Sequence, residues 1–192
     1  SWSPDGRKIV IAAKAGSKDA FHIINTRNGD SKKIPFDLEG VFTPKWSPDG
    51  MRLAFVGNKN SASDIYTIDL NTNEIVNLTS DIFSDSEPSW HPSSSKLLFV
   101  SDRGTKIDRV PTTAVDMINH NFEQNNIYSI DINTKVVEKI TNSSSNKNYP
   151  VYANTENVIF YTSDYNGTWN IFKHDLDSGN AYPVCLLYTS DA

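Results

Sequence analysis

Apolar residues in this chain fall in short runs, many of them β-branched or aromatic, divided by stretches rich in Asn, Asp, Ser and Thr. Residues 52–56 (Arg-Leu-Ala-Phe-Val) and 64–69 (Asp-Ile-Tyr-Thr-Ile-Asp) read as strands. Ile65 and Tyr66 are adjacent and both apolar, which predicts a strand covered on two faces. Residues 74–79 alternate apolar and polar, the pattern of a half-exposed outer strand. Between these runs, residues 57–63 read as a polar loop. Asn71-Thr72-Asn73 reads as a tight turn of residues that tolerate left-handed φ. A further short run ends in Trp46, and Ser47-Pro48-Asp49-Gly50 after it suits a type I turn, with proline second and glycine fourth. Four strands and no sustained helical period are predicted for this stretch.

The same grammar recurs. Ser1-Trp2-Ser3-Pro4-Asp5-Gly6 returns as Lys45-Trp46-Ser47-Pro48-Asp49-Gly50 and, altered, as Ser89-Trp90-His91-Pro92-Ser93-Ser94. Trp2 to Trp46 and Trp46 to Trp90 are each 44 residues. A period of about 40–45 with strand-like sequence between the marks is that of a four-stranded propeller blade. The predicted fold is all-β: a β-propeller fragment of about four four-stranded blades, at roughly 1–40, 41–84, 85–146 and 147–184. Stacked blades bury both faces of each sheet, so Trp2, Trp46 and Trp90 are expected in the core between blades. Asp5 and Asp49 are expected to serve the turns. An open arc is expected rather than a closed ring, because about four blades taken from a longer propeller would leave two faces and an edge uncovered.

The last eight residues, Cys185 to Ala192, resemble the in-frame translation of a transposon-end adapter used in shotgun DNA libraries, as in a metagenomic fragment. Natural sequence is therefore expected to stop near Val184, with residues 185–192 forming no domain. The single cysteine belongs to that tail, so residues 1–184 offer neither a disulfide nor a cysteine metal site.

The net charge of −5 gives no basis for a nucleic-acid partner, and no apolar run suits direct membrane insertion as a helix. The motifs of a nucleophile elbow, a zinc protease helix and a phosphate loop are absent from the sequence. His22, His91, His120 and His174 are scattered without ligand spacing. Asp175 to Gly179 resembles a calcium loop but lacks the later acid, and a hairpin turn is the expected role. No catalytic residue, metal or cofactor is expected.

Trp46 to Gly50, Asp64 to Leu70 and Leu78-Thr79, with their echoes at Trp90, 99–104, 126–132, 163–164 and 170–176, resemble the WD-like repeat of TolB-type β-propellers. The resemblance covers nearly all of residues 1–184. It implies a periplasmic or cell-surface bacterial setting, and often a module within a larger chain: a Tol-system protein, a fusion to an outer-membrane barrel, or a serine peptidase.

One feature breaks the period. Pro88 to Pro150 is 62 residues, against 44 from Pro44 to Pro88, an excess of about 18 between Asp102 and Gln124. Long insertions on a short-looped frame are often functional. Arg103, Lys106, Asp108, Arg109, His120 and Phe122 are the candidate partner-binding residues, their mixture of charge and apolar surface suiting a protein or peptide. An idle loop, or cover for another domain of the same chain, is the competing reading. The expected function is a non-catalytic scaffold with loops and a central funnel. The alternative is the substrate-gating propeller of a larger serine peptidase of the prolyl-oligopeptidase or tricorn kind. Sugar chemistry in the funnel would need clustered carboxylates on the inner strands, and Glu87 is the only acid directly before a Pro-x-Trp phrase.

Overall fold

The computed structural model describes residues 1–15, 18–60, 62–105, 120–154 and 157–185. The first sheet holds β1 (Lys8–Ala15), β2 (Lys18–Asn25) and β3 (Ser31–Pro35). The second holds β4 (Gly40–Trp46), β5 (Arg52–Lys59), β6 (Ala62–Asp69) and β7 (Ile75–Asn77). The third holds β8 (Asp85–Trp90), β9 (Lys96–Ser101), β10 (Asn126–Asp131) and β11 (Val137–Lys139). The fourth holds β12 (Lys147–Tyr152), β13 (Val158–Ser163), β14 (Asn170–Asp175) and β15 (Ala181–Cys185). Every sheet is an antiparallel meander in chain order, the simplest path for strands joined by short turns.

Strand alternation explains the stacking. On β5, Leu53 and Phe55 pack toward the first sheet with Val10, Phe21, Ile34 and Phe36. Their neighbours Ala54 and Val56 point the other way, onto Trp90, Leu97, Phe99 and Tyr128 of the third sheet. On the third sheet, Leu98 and Ile127 in turn meet Ile159, Tyr161 and Phe172 of the fourth. Ile65 and Tyr66 are both buried, as expected of a strand covered on two faces. The outward sides of the first and fourth sheets stay bare, with Ile11, Ile171 and Tyr182 exposed, so the four sheets form an open arc.

The turns have local causes. Ser47 Oγ donates to Asp49 Oδ1 at 2.6 Å, and that oxygen also accepts the Met51 N–H. Ser3 and Asp5 repeat the arrangement, and in the third sheet His91 Nδ1 accepts from Ser93 N–H in place of the serine. Asp69, Asp131 and Asp175 cap the outer hairpins through backbone N–H groups two and three residues on. These bonds hold the three carboxyls below the usual carboxylate range.

Three expectations need correction. Residues 57–59 and 62–63 are strand rather than loop: Gly57 pairs with Asp64 and Lys59 with Ala62, so β5 and β6 extend into this stretch. Gly57 permits this, since a Cβ there would lie 2.7 Å from the Tyr66 ring. Trp46 and Trp90 are buried, but Trp2 is 59 % exposed because no sheet covers its side of the first blade. Cys185 was expected to stay outside the fold, yet it continues β15 by pairing with Ile171. Residues 186–192 lie outside the described residues.

Trp90 links sheets as well as filling space: its indole N–H donates to the Lys45 carbonyl of the preceding inner strand at 3.0 Å. Trp90→Ala should therefore cost about 3–5 kcal/mol of stability. Trp2→Ala should cost less than about 1 kcal/mol. Urea unfolding of both variants checks the contrast, and equal losses would refute the wedge role.

Candidate partner-binding site

The inner strands β4, β8 and β12 converge on the axis of the arc, and each breaks register at the same place. Thr43, Glu87 and Tyr149 take left-handed φ of 47°, 54° and 56°, and each precedes a proline. A non-glycine residue held there costs on the order of 1–3 kcal/mol. Such bulges re-aim side chains. Together they line an axial cavity of about 390 Å³ with Lys45, Trp46 and Val151. The Glu87 carboxylate accepts the Tyr149 N–H, tying the third and fourth inner strands. Burial lifts the Glu87 pKa above its ordinary value, against the pull of that N–H and of Lys45. Tyr149 is 67 % exposed at the cavity rim.

The second candidate region is the insertion. Arg103, expected on a partner-binding surface, is only 1 % exposed and cannot touch a partner. Its Nη2 donates to both Asp85 oxygens at 2.8 Å, and its Nε donates to Ser101 Oγ at 2.9 Å. Its Nη1 lies 3.0 Å from Asp81 Oδ2, an ion pair by distance whose N–H is not aligned for a hydrogen bond. The guanidinium carbon also sits 5.0 Å from the Phe99 ring centre and 5.6 Å from those of Phe83 and Tyr128. Tyr128 OH donates to the Gly104 carbonyl, fixing the next residue too. Arg103 is thus the anchor of the insertion's first foot. Burial pushes the Asp85 carboxyl up to about 7 against the opposing pull of Arg103, and raises Asp81 in the same way.

Asp64 brings a third buried carboxylate within 4.8 Å of Asp81 and Asp85. The spacing would suit a divalent ion, but the chemistry does not require one. The Arg103 guanidinium already serves Asp81 and Asp85, while the Asp64 oxygens accept from Asn77, Thr79 and the Asp81 N–H.

The second foot is His120, whose Nε2 lies 3.3 Å from Asp102 Oδ2 with the side chain 8 % exposed. Its ring packs between Phe83 at 5.4 Å and Phe122 at 4.6 Å. Asp102 Oδ1 accepts the Ser84 N–H, and Asp164 does the same for Asn146 in the fourth sheet. The repeated Ser-Asp pairs at 101–102 and 163–164 carried that signal. Nothing in sequence marked the Asp85–Arg103 pair or the bulges. Phe122 is 59 % exposed. Lys106, Asp108 and Arg109 lie outside the described residues. No helix among the described residues is long and apolar enough to cross a membrane.

The sequence profile described as "TolB beta propeller domain" matches residues 1–116. No curated protein matches the chain. Among solved structures, the chain is similar to TolB from Acinetobacter baumannii, with TM-score 0.74 and 23 % identity over 96 % of this chain and 43 % of that one. It is similar to a putative TolB from Agrobacterium tumefaciens, with TM-score 0.77 and 21 % identity over 96 % of this chain and 63 % of that one. A Mycobacterium tuberculosis puromycin-hydrolyzing peptidase gives TM-score 0.69 and 15 % identity over 98 % of this chain and 31 % of that one. The chain thus spans less than two thirds of each of these proteins, and identities this low speak to fold alone.

Two outcomes follow from the buried charges. Arg103→Met should destabilise the fold by about 3–5 kcal/mol at pH 8, because it strands buried carboxylates. The loss should shrink at pH 5, where those carboxylates can take protons. Asp85 ionises near 4 in an unfolded chain and near 7 in the fold. The fold therefore holds more protons between those values, and this group's contribution is lost as pH rises from about 4 through about 7. The stability difference between wild type and Asp85→Asn should move against wild type over that range. Paired urea titrations at pH 5, 6.5 and 8 test both, and pH-independent differences would refute the charge argument.

Proposed function

Because the chain belongs to the TolB beta-propeller domain family, we propose that it is a non-catalytic scaffold that binds a protein or peptide at the mouth of its inner strands, in the bacterial envelope. The observation that carries this reading is the threefold bulge at Thr43, Glu87 and Tyr149. Three strained residues aimed at one axial cavity form a preorganised rim, with Tyr149 as an exposed aromatic anchor and Glu87 and Lys45 as polar contacts. Aromatic anchors of this kind dominate protein interfaces. The cavity lining has one carboxylate and neither histidine nor thiol, which suits binding rather than acid–base or nucleophilic chemistry.

The insertion supplies a second contact surface in this reading. Its feet are held by Arg103 and His120, while Phe122 stands exposed and Lys106, Asp108 and Arg109 are its sequence-level candidates. The similarity to the puromycin-hydrolyzing peptidase favours, as a second reading, a propeller that screens substrates for a hydrolase domain elsewhere in a longer protein.

Peptides selected on the purified chain from a random library test the scaffold reading. Binders should shift the NMR signals of Tyr149 and Val151. Tyr149→Ala should weaken them about tenfold or more, the scale of losing an aromatic anchor. Binders that map only outside the axial rim and the insertion would sink the proposal.

A further inference from the structure

A cleft of about 880 Å³ opens between the segment after β11 (residues 140–145) and the fourth sheet, and shares no lining residue with the axial cavity. Its volume is that of a small-molecule site. The floor is Tyr161 and Phe172, cross-strand partners whose rings lie 8° from parallel with centroids 5.8 Å apart. Tyr165 stands edge-on to Phe172 at 6.2 Å. Asn170, Phe172 and His174 share one side of β14, so the floor runs about 13 Å from Asn170 to His174 at about 3.3 Å per residue.

The two ends differ chemically. At one, Lys147 is 3 % exposed, and its ammonium donates to the Ser143 and Ser145 carbonyls and to Ser145 Oγ. Ser163 Oγ also donates to Ser145 Oγ, at 3.1 Å. With two donors aimed at it, Ser145 Oγ turns its own proton toward Ser143 Oγ, 3.0 Å away. The exposed Ser143 hydroxyl is then left with a proton to give to a ligand. At the other end His174 is 7 % exposed and its Nδ1 has no hydrogen-bond partner. A buried nitrogen left unpaired is unfavourable until something pairs with it. No Asp or Glu lines the cleft; Asp164, which acts on Lys147 from outside the lining, is itself engaged by the backbone and side-chain N–H groups of Asn146.

We propose that this cleft binds a phenolic acid, with its ring on Tyr161 and Phe172, its carboxylate at the Ser143 and Lys147 end, and its ring hydroxyl at His174. The same chemistry occurs in a free phenolic acid and in the C-terminal tyrosine of a peptide. The site is independent of the axial binding proposed above.

The probe is 3-(4-hydroxyphenyl)propionate, titrated into the isotopically labelled chain and followed by NMR. Saturable shifts are expected at Ser143, Tyr161 and His174, with none at Tyr149 or Val151. Removing the hydroxyl (3-phenylpropionate), the charge (the primary amide) or the flat ring (3-cyclohexylpropionate) should each weaken binding about tenfold, the effect of one lost directional contact. His174→Phe should erase the preference for the hydroxyl while 3-phenylpropionate still binds, which separates loss of the contact from loss of the fold. Tighter binding of acetyl-Gly-Gly-Tyr with a free carboxylate than of the free acid would identify a peptide terminus as the source. Weaker binding would identify the small molecule. Absence of saturable shifts with both the free acid and the tripeptide, equal affinity for the cyclohexyl analogue, or shifts confined to the axial rim would overturn the proposal.

Discussion

A four-stranded sheet with apolar side chains on both faces cannot stay in water alone, and this constraint organises the whole arc. Alternation along β5 sends Leu53 and Phe55 to one neighbour and Ala54 and Val56 to the other. The third sheet does the same with Leu97 and Phe99 against Leu98. Each interior sheet therefore belongs to two cores at once, and no core is complete within one sheet. Trp46 and Trp90 fill space between neighbouring sheets, and the Trp90 N–H finds its acceptor on the sheet before it. Stability in such an array is a sum over neighbouring pairs. The bare outer sides of the first and fourth sheets follow from the same rule, since each lacks one neighbour within the arc.

The inner edge carries a different constraint. The innermost strand of each sheet has one unpaired edge, where a long flat strand would invite further pairing. Proline is tolerated there because it needs no ladder partner. Pro44, Pro88 and Pro150 follow the bulged residues at equivalent points, and the left-handed residue before each turns the chain. The bulge blunts the edge and tilts a side chain toward the axis in one move. Glu87 then uses its carboxylate to satisfy the Tyr149 N–H that the bulge removes from the ladder. The axial rim is thus a consequence of managing edges, which places exposed side chains on rigid backbone.

Much of this was legible because it is local. The Ser-Pro-Asp-Gly phrase specifies its own turn through Ser47 and Asp49, and Asp69 specifies its hairpin through the N–H groups of Asn71 and Thr72. The 44-residue spacing gave the blade period directly. What stayed hidden depends on partners far along the chain. Arg103 sits in a charged insertion and reads as surface, yet Asp85 and Asp81 lie 18 and 22 residues earlier and draw it inside. Gly57 reads as a loop residue until Tyr66 is laid across it. Trp2 carries the same phrase as Trp46, but burial depends on a neighbour that the phrase does not contain. The cleft was invisible for a similar reason: His174 lies 27 residues beyond Lys147 and further still from Ser143, and the three carry no common motif.

The insertion shows how a propeller accepts extra chain without losing its frame. Lengthening a flexible loop raises its closure entropy only slowly, by about 0.6 kcal/mol per doubling. The larger demand is that the strands on either side keep their register, and this is met at the feet. Arg103 and Gly104 are fixed under Tyr128 on one side. On the other, Gln124 donates to the Ser143 carbonyl and Asn125 to Asn146 Oδ1. Between these clamps β9 and β10 pair from Ser101 and Asn126 onward as if the insertion were a short turn. A buried guanidinium shared among acids is an uncertain source of net stability, but it is a strong source of position, because few other arrangements satisfy it. The Arg103 charge that sequence offers as a binding surface thus works one layer deeper, holding the first foot of the segment that follows it.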